Sequence, residues 1–250
     1  MQNRKRRGGW MYRRFACGLT IFLLSGLLSG CLYRGEPQER RVSYIESVDR
    51  VQRAIDRFQE DQGILPIITA GEETPRYEKF RINLDQLNQQ GYLEQIPQAA
   101  FEKGGSVYFL VINEESDPTV KVMDLATVQK VNDVQRAVDL YRSKRDGKLP
   151  VQENGEISPG VYRIDLEAAG AENYSLKSVY SGQSQDYLVD KDGRVYVDYA
   201  FDIMQALDQT GVKPGENKDL REILTAQSYF VPVKSLPYRW VDGTPVPQIE

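Results

Sequence analysis

Val51-Gln52-Arg53-Ala54-Ile55-Asp56 (VQRAID) returns 83 residues later as Val134-Gln135-Arg136-Ala137-Val138-Asp139 (VQRAVD). An aromatic follows each at the same step, Phe58 and Tyr141, and each then meets a Gly-x-Leu-Pro stretch, Gly63 to Pro66 and Gly147 to Pro150. Around the first copy, Tyr44, Ile45, Val48, Val51, Ile55 and Phe58 recur at steps of three and four, the period of an amphipathic helix. The spacing predicts a helix over 43–61, with Ser43 and Glu46 as a capping box. Gly63 ends it, and Pro66 prevents it from resuming.

Further landmarks repeat in the same order. Arg81-Ile82-Asn83-Leu84 answers Arg163-Ile164-Asp165-Leu166, and each copy closes in apolar strands. Val107 to Ile112 precedes a polar loop and Val120-Lys121-Val122; Tyr187-Leu188-Val189 precedes Asp190-Lys191-Asp192-Gly193 and Val195-Tyr196-Val197. Asp-Gly between apolar runs is a strong hairpin signal. This many ordered landmarks predict an internal duplication. The expected fold class is therefore α+β, in two repeated modules of a long amphipathic helix plus a small antiparallel β-hairpin or sheet, with a shorter third module. A helix laid on such a sheet buries the apolar face of both. The expected boundaries are a signal peptide at 1–30, a polar tether at 31–42, module 1 at 43–123, module 2 at 124–199 and a partial third module at 200–250. In that last part a helix is expected over 200–209 and a strand near 238–241.

The N-terminus has its own grammar. Arg4, Lys5, Arg6, Arg7, Arg13 and Arg14 precede an uncharged stretch from Phe15 to Gly30, and Leu28-Ser29-Gly30-Cys31 follow. A basic region, a short apolar core and small residues before a cut make an export signal. The apolar run is shorter than the ~17 residues a membrane span needs. Leu28-Ser29-Gly30-Cys31 resembles the box of bacterial lipoproteins. That resemblance implies cleavage before Cys31, a diacylglycerol thioether on its sulfur, and residence on the extracytoplasmic face of the cell membrane. Two or more acyl chains give stable anchoring where one does not.

Composition then excludes whole classes of function. Removing the signal takes away six basic residues and no acid, so the formal charge moves from −4 to −10. An acidic body does not suit a nucleic-acid partner, which needs a basic footprint. The chain has 2 cysteines, one in the signal and one in the lipoprotein box, and no histidine. Ser-His-Asp and Cys-His catalysis are excluded, together with zinc sites built on His or Cys. No phosphate-binding loop, dinucleotide fingerprint or nucleophile elbow is present. The expectation is no enzyme, no cofactor and no metal. Acid-rich loops at Asn113 to Asp117 and around Asp190, Asp192 and Asp198 lack the twelve-residue calcium pattern and read as solvated turns.

Two further resemblances bear on the fold. Asp61-Gln62-Gly63 and Pro66, then Leu84, Leu87, Gly91-Tyr92-Leu93, Ile96-Pro97 and the strand at Tyr108, are similar in order to the soluble part of type II secretion pseudopilins and competence pilins. Those families imply a helix leading through a turn and a variable loop into a small sheet. They also keep their apolar helix, whereas here it ends at a cleavage box. The whole chain resembles uncharacterised lipoproteins of spore-forming, Bacillus-type Gram-positive bacteria. That class has been labelled loosely as binding components of transporters.

Tyrosine and tryptophan cluster late in the chain, at Tyr174, Tyr180, Tyr187, Tyr196, Tyr199, Tyr229, Tyr238 and Trp240. Strand propensity and core filling account for such a set first. An amphipathic ring also serves recognition surfaces, and Tyr196, Tyr238 and Trp240 are assigned as a candidate surface for a protein or cell-wall partner. The expected role is non-catalytic binding or scaffolding. The alternative is a ligand-binding accessory of a transporter.

Overall fold

The computed structural model describes residues 37–249, apart from Thr69 and residues 216–217, with side chains from Tyr44 onward. The lipoprotein box Leu28, Ser29, Gly30 and Cys31 lies outside the described residues.

The first helix, α1, runs Pro37–Gln62. It begins six residues before the expected start, so Ser43 lies within the helix rather than at its N-terminus. The end of the expected tether is thus helical. Proline is tolerated at a helix's first position, and the Gln, Glu and Arg residues after it are good helix formers. Apolar periodicity alone does not register that extension. Val48, Val51, Ala54, Ile55 and Phe58 form the buried face. Gly63 ends the helix at φ 70°, its N–H bonded to Gln59 O at 2.8 Å.

Four antiparallel strands follow: β1 (Ile67–Ile68), β2 (Arg81–Ile82), β3 (Val107–Ile112) and β4 (Thr119–Asp124), in the order β1-β2-β3-β4. Helix α2 (Leu84–Gln89) enters after β2, and the Asn83 side chain accepts the Gln86 N–H at its start. Val51, Ile55 and Phe58 pack with Phe109, Val111, Val120 and Val122 from the sheet.

Asp124 ends β4 and caps α3 (Leu125–Ser143) by accepting the Thr127 N–H. Next come β5 (Val151–Ser158), β6 (Val161–Ile164) and α4 (Leu166–Ala169), capped by Asp165. A small ribbon, β7 (Leu176–Lys177) with β8 (Ser184–Gln185), intervenes before β9 (Tyr187–Asp190) and β10 (Val195–Val197). The second sheet has the order β10-β9-β6-β5, again antiparallel throughout. The β9–β10 turn carries Gly193 at φ 90°, and Asp190 Oδ1 accepts the N–H groups of Asp192 and Arg194.

The two helix-and-sheet junctions are held by matching contacts. Gln52 Oε1 accepts the Val120 N–H at 2.7 Å, while its Nε2 donates to Pro118 O and Asp56 Oδ1. Gln135 Oε1 accepts the Val195 N–H at 2.8 Å, while its Nε2 donates to Gly193 O and Asp139 Oδ1. Each glutamine thereby satisfies a strand amide and a loop carbonyl that the sheet leaves open. Arg81 sits opposite Leu110 in the first sheet, as Arg163 sits opposite Leu188 in the second.

The last part contains α5 (Ala200–Thr210), α6 (Arg221–Gln227) and a hairpin of β11 (Tyr238–Val241) with β12 (Thr244–Pro247). Between α6 and the hairpin, residues 229–234 join both sheets. Val122 N–H donates to Tyr229 O at 2.8 Å and Val231 N–H to Val122 O at 3.1 Å; Val197 N–H donates to Lys234 O at 2.8 Å. Val231 and Val233 are buried with Leu110, Ile112 and Met123. Lys234 also pairs with Glu78 at 2.9 Å.

Candidate functional site

The beginning of α5 meets the outer end of the second sheet in a polar cleft of about 210 Å³. Its charged groups come from different elements. Arg163 projects from β6, Asp186 precedes β9, Asp198 follows β10, and Asp202 lies in the first turn of α5. Arg163 Nε is 2.9 Å from Asp186 Oδ2, and its Nη2 is 3.7 Å from Asp198 Oδ2. Phe201 stands on the rim, 59% exposed.

Two of the three carboxylates are committed to structure. Asp202 is 3% exposed; it accepts Ser178 Oγ at 2.8 Å and Gln185 Nε2 at 2.9 Å, and so holds the β7–β8 ribbon to α5. Burial raises its carboxyl above the ordinary range, and hydrogen bonds from Ser181 and Ser178 oppose that rise. Asp198 Oδ1 accepts both the Tyr238 hydroxyl and the Ala200 N–H at 2.9 Å. Asp186 remains the more exposed partner of Arg163. The cleft is smaller than the ~300 Å³ at which small-molecule sites begin. It offers an exposed ring beside paired charges, which suits contact with a side chain better than enclosure of a substrate.

A wider, open cleft of about 740 Å³ lies between α1 and the β3–β4 loop, lined by Gln52, Asp56, Gln59, Glu60 and residues 117–119. A third, of about 450 Å³, sets Arg76 and Lys79 near Glu114 and Glu115. Among the described residues, no group of three or more His, Cys, Asp or Glu side chains could hold a metal ion.

The candidate partner residues separate. Tyr238 is fully buried, which removes it from any partner surface. Its hydroxyl bonds Asp198 and the Tyr199 N–H, and burial pushes its pKa up. Trp240, two residues further along β11 and nearer the hairpin tip, is 37% exposed. Tyr196 is half-buried against Val161, Leu188 and Leu236, and its hydroxyl donates to Asp190 Oδ2 at 3.0 Å. Burial, then the Asp190 charge, pushes its pKa up to about 12. Tyr187 and Tyr199 are core residues.

Residues 44–124 match the model of the YphF family N-terminal domain. The match spans the first helix-and-sheet unit, ending where β4 ends at Asp124. Comparison with curated proteins and with solved structures gives no match.

The Arg163–Asp186–Asp198–Asp202 grouping was not singled out from the sequence. One signal for it exists. Asp202 is four residues before Ala206 on the apolar face of α5, beside Ile203, where an acid demands buried partners.

Proposed function

We propose that this is a lipid-anchored, extracytoplasmic, non-catalytic binding or scaffolding protein at the outer face of the cytoplasmic membrane. In this reading Cys31 carries the diacylglycerol anchor, and the folded body presents two copies of one pilin-like module and a partial third. The paired glutamine contacts, Gln52 with Val120 and Gln135 with Val195, support the duplication. No described helix is long and apolar enough to cross a membrane.

The observation that carries the binding role is how the carboxylates of the Arg163 cleft are used. Asp198 and Asp202 hold the loop and the hairpin in place, while Phe201 and Asp186 face outward. A general acid or base needs a carboxyl free to exchange its proton with a substrate. A recognition surface needs a fixed frame with an exposed aromatic, as here.

The test is photocrosslinking in intact cells from probes at Phe201, Tyr196 and Trp240, read by mass spectrometry. One dominant membrane or secreted protein at Phe201 or Trp240 is expected. Adducts with wall polymer alone, or none at these positions, would overturn the protein-partner role.

A further inference from the structure

We propose that Arg81, with the rings of Tyr108 and Phe101 beside it, receives an acidic side chain of a partner protein. This rests on the reading of the chain as a binding protein and adds a second contact, on the first sheet, with a stated chemistry. Strand register aligns the two sheets residue by residue. Arg81 pairs with Leu110 and Leu110 with Lys121, as Arg163 pairs with Leu188 and Leu188 with Tyr196. Two residues back along β3 and two forward along β4 stand Tyr108 and Met123, which are paired. The same steps from Leu188 and Tyr196 reach Asp186 and Asp198, where the Asp198 N–H donates to Asp186 O at 3.0 Å. In the second sheet two carboxylates thus lie against the arginine. In the first, a phenol ring and a thioether take their places.

Arg81 therefore keeps its charge without a counter-ion. Its Cζ lies 3.7 Å from the centre of the Tyr108 ring, and no side-chain hydrogen bond or ion pair among the described residues engages its guanidinium. Nε is buried without a hydrogen-bond partner. Stacking on a ring occupies a face of the guanidinium and leaves its donor edges unspent. Phe101 belongs to a single 3-10 turn, Phe101–Lys103; it is 53% exposed, with its ring 5.0 Å from that of Tyr108. Lys103, at the end of that turn, is exposed and forms no ion pair among the described residues. Aromatic rings and arginine are the side chains enriched where proteins meet and where binding energy concentrates. Charge decides what the partner offers. A carboxylate on the free edge of Arg81 supplies what Asp186 and Asp198 supply to Arg163, in the bidentate geometry that suits a guanidinium. An apolar neighbour of that carboxylate covers Phe101.

The experiment is photocrosslinking in intact cells from a probe at Lys103 of the full chain, with the crosslinked peptide sequenced by mass spectrometry. A partner peptide that contains Asp or Glu is expected. Arg81→Gln should lower the yield about tenfold, the effect of one charge-assisted contact. Arg81→Lys, which keeps the charge and loses the planar fork, should lower it less. Changing the partner's carboxylate to its amide should cost the same about tenfold against the unsubstituted arginine and nothing further against Arg81→Gln, the mark of a direct pair. That half of the cycle leaves this chain unaltered, so it reads the contact whatever Arg81→Gln does to folding. An unchanged yield in Arg81→Gln, a crosslinked peptide without an acid, independent losses from the two changes, or wall and lipid adducts alone or no adduct at Lys103 would each overturn the proposal. Failure here beside a dominant protein adduct at Phe201 or Trp240 removes this contact and keeps the binding role. An Arg81-dependent adduct with none at Phe201 or Trp240 keeps this contact and removes the Arg163 cleft as the partner surface.

Discussion

The hydroxyl of Tyr238 donates to Asp198 Oδ1 and accepts the Tyr199 N–H, each at 2.9 Å, tying the base of the last hairpin to the end of β10. Tyr238→Phe keeps the ring but strands a buried amide and one side of a carboxylate. An unsatisfied buried group costs about 1–3 kcal/mol. Urea unfolding should show a loss in that range with an unchanged m-value. A loss below a few tenths of a kcal/mol would mean that water replaces the hydroxyl.

Gln52→Ala and Gln135→Ala each remove the acceptor for one strand amide, Val120 and Val195 respectively. Each variant should lose about 1–3 kcal/mol. The two sites share no partner, so the double variant should lose the sum within about 0.5 kcal/mol. Hydrogen exchange should accelerate at Val120 in the first variant and at Val195 in the second. Acceleration at both amides in either single variant would contradict independent junctions.

Arg221 is 6% exposed and holds Asp219 through Nε and Nη2, the latter at 2.7 Å, while Nη1 donates to Ser235. Burial alone would raise the Asp219 carboxyl, but the Arg221 hydrogen bonds and charge override it and hold the pKa below 3.8. A depressed folded pKa gives stability that is fully present above the unfolded value and is lost as pH falls through the folded one. Stability should therefore fall below about pH 3.8 through this pair. Asp219→Ala should remove that part of the acid dependence and cost about 3 kcal/mol at neutral pH, because it leaves a buried guanidinium unpaired. A pH–stability curve parallel to that of the unmodified protein would refute the assignment.

Cys31→Ser should abolish incorporation of a fatty-acid analogue and leave an unprocessed or released chain. One acyl chain anchors only marginally, so partial lipidation should also read as loss from membrane fractions. Continued labelling of the serine variant would end the lipoprotein reading.

Much of the framework was legible from local signals. The helix through Val51 and Phe58, the strands Val107–Ile112 and Tyr187–Asp190, and the Asp-Gly turn all follow from periodicity and turn chemistry. The β5–β6 hairpin was not read, because Gln152, Glu153, Asn154 and Glu156 break the apolar alternation on an edge strand with irregular register. The early start of α1 was missed for a similar reason, since polar helix formers carry no periodic signal. Sequence places Tyr238 in the surface set with Tyr196 and Trp240 because an amphipathic ring in a late aromatic cluster suits a recognition surface as well as a core. Only the hairpin's attachment to the body separates the two. The site grouping depends on convergence from β6, β9, β10 and α5, and no spacing in the chain encodes that.

Residues 229–234 have a temporal meaning. A polypeptide emerges N-terminus first, so β4 and β10 are synthesised long before the segment whose carbonyls receive the Val122 and Val197 amides. Until then each strand presents an open ladder edge, the feature that recruits foreign strands and seeds aggregation. A premature stop after Gln227 would leave both edges bare permanently. Residues 229–234 thus act as a late-arriving cover for the edges of both sheets.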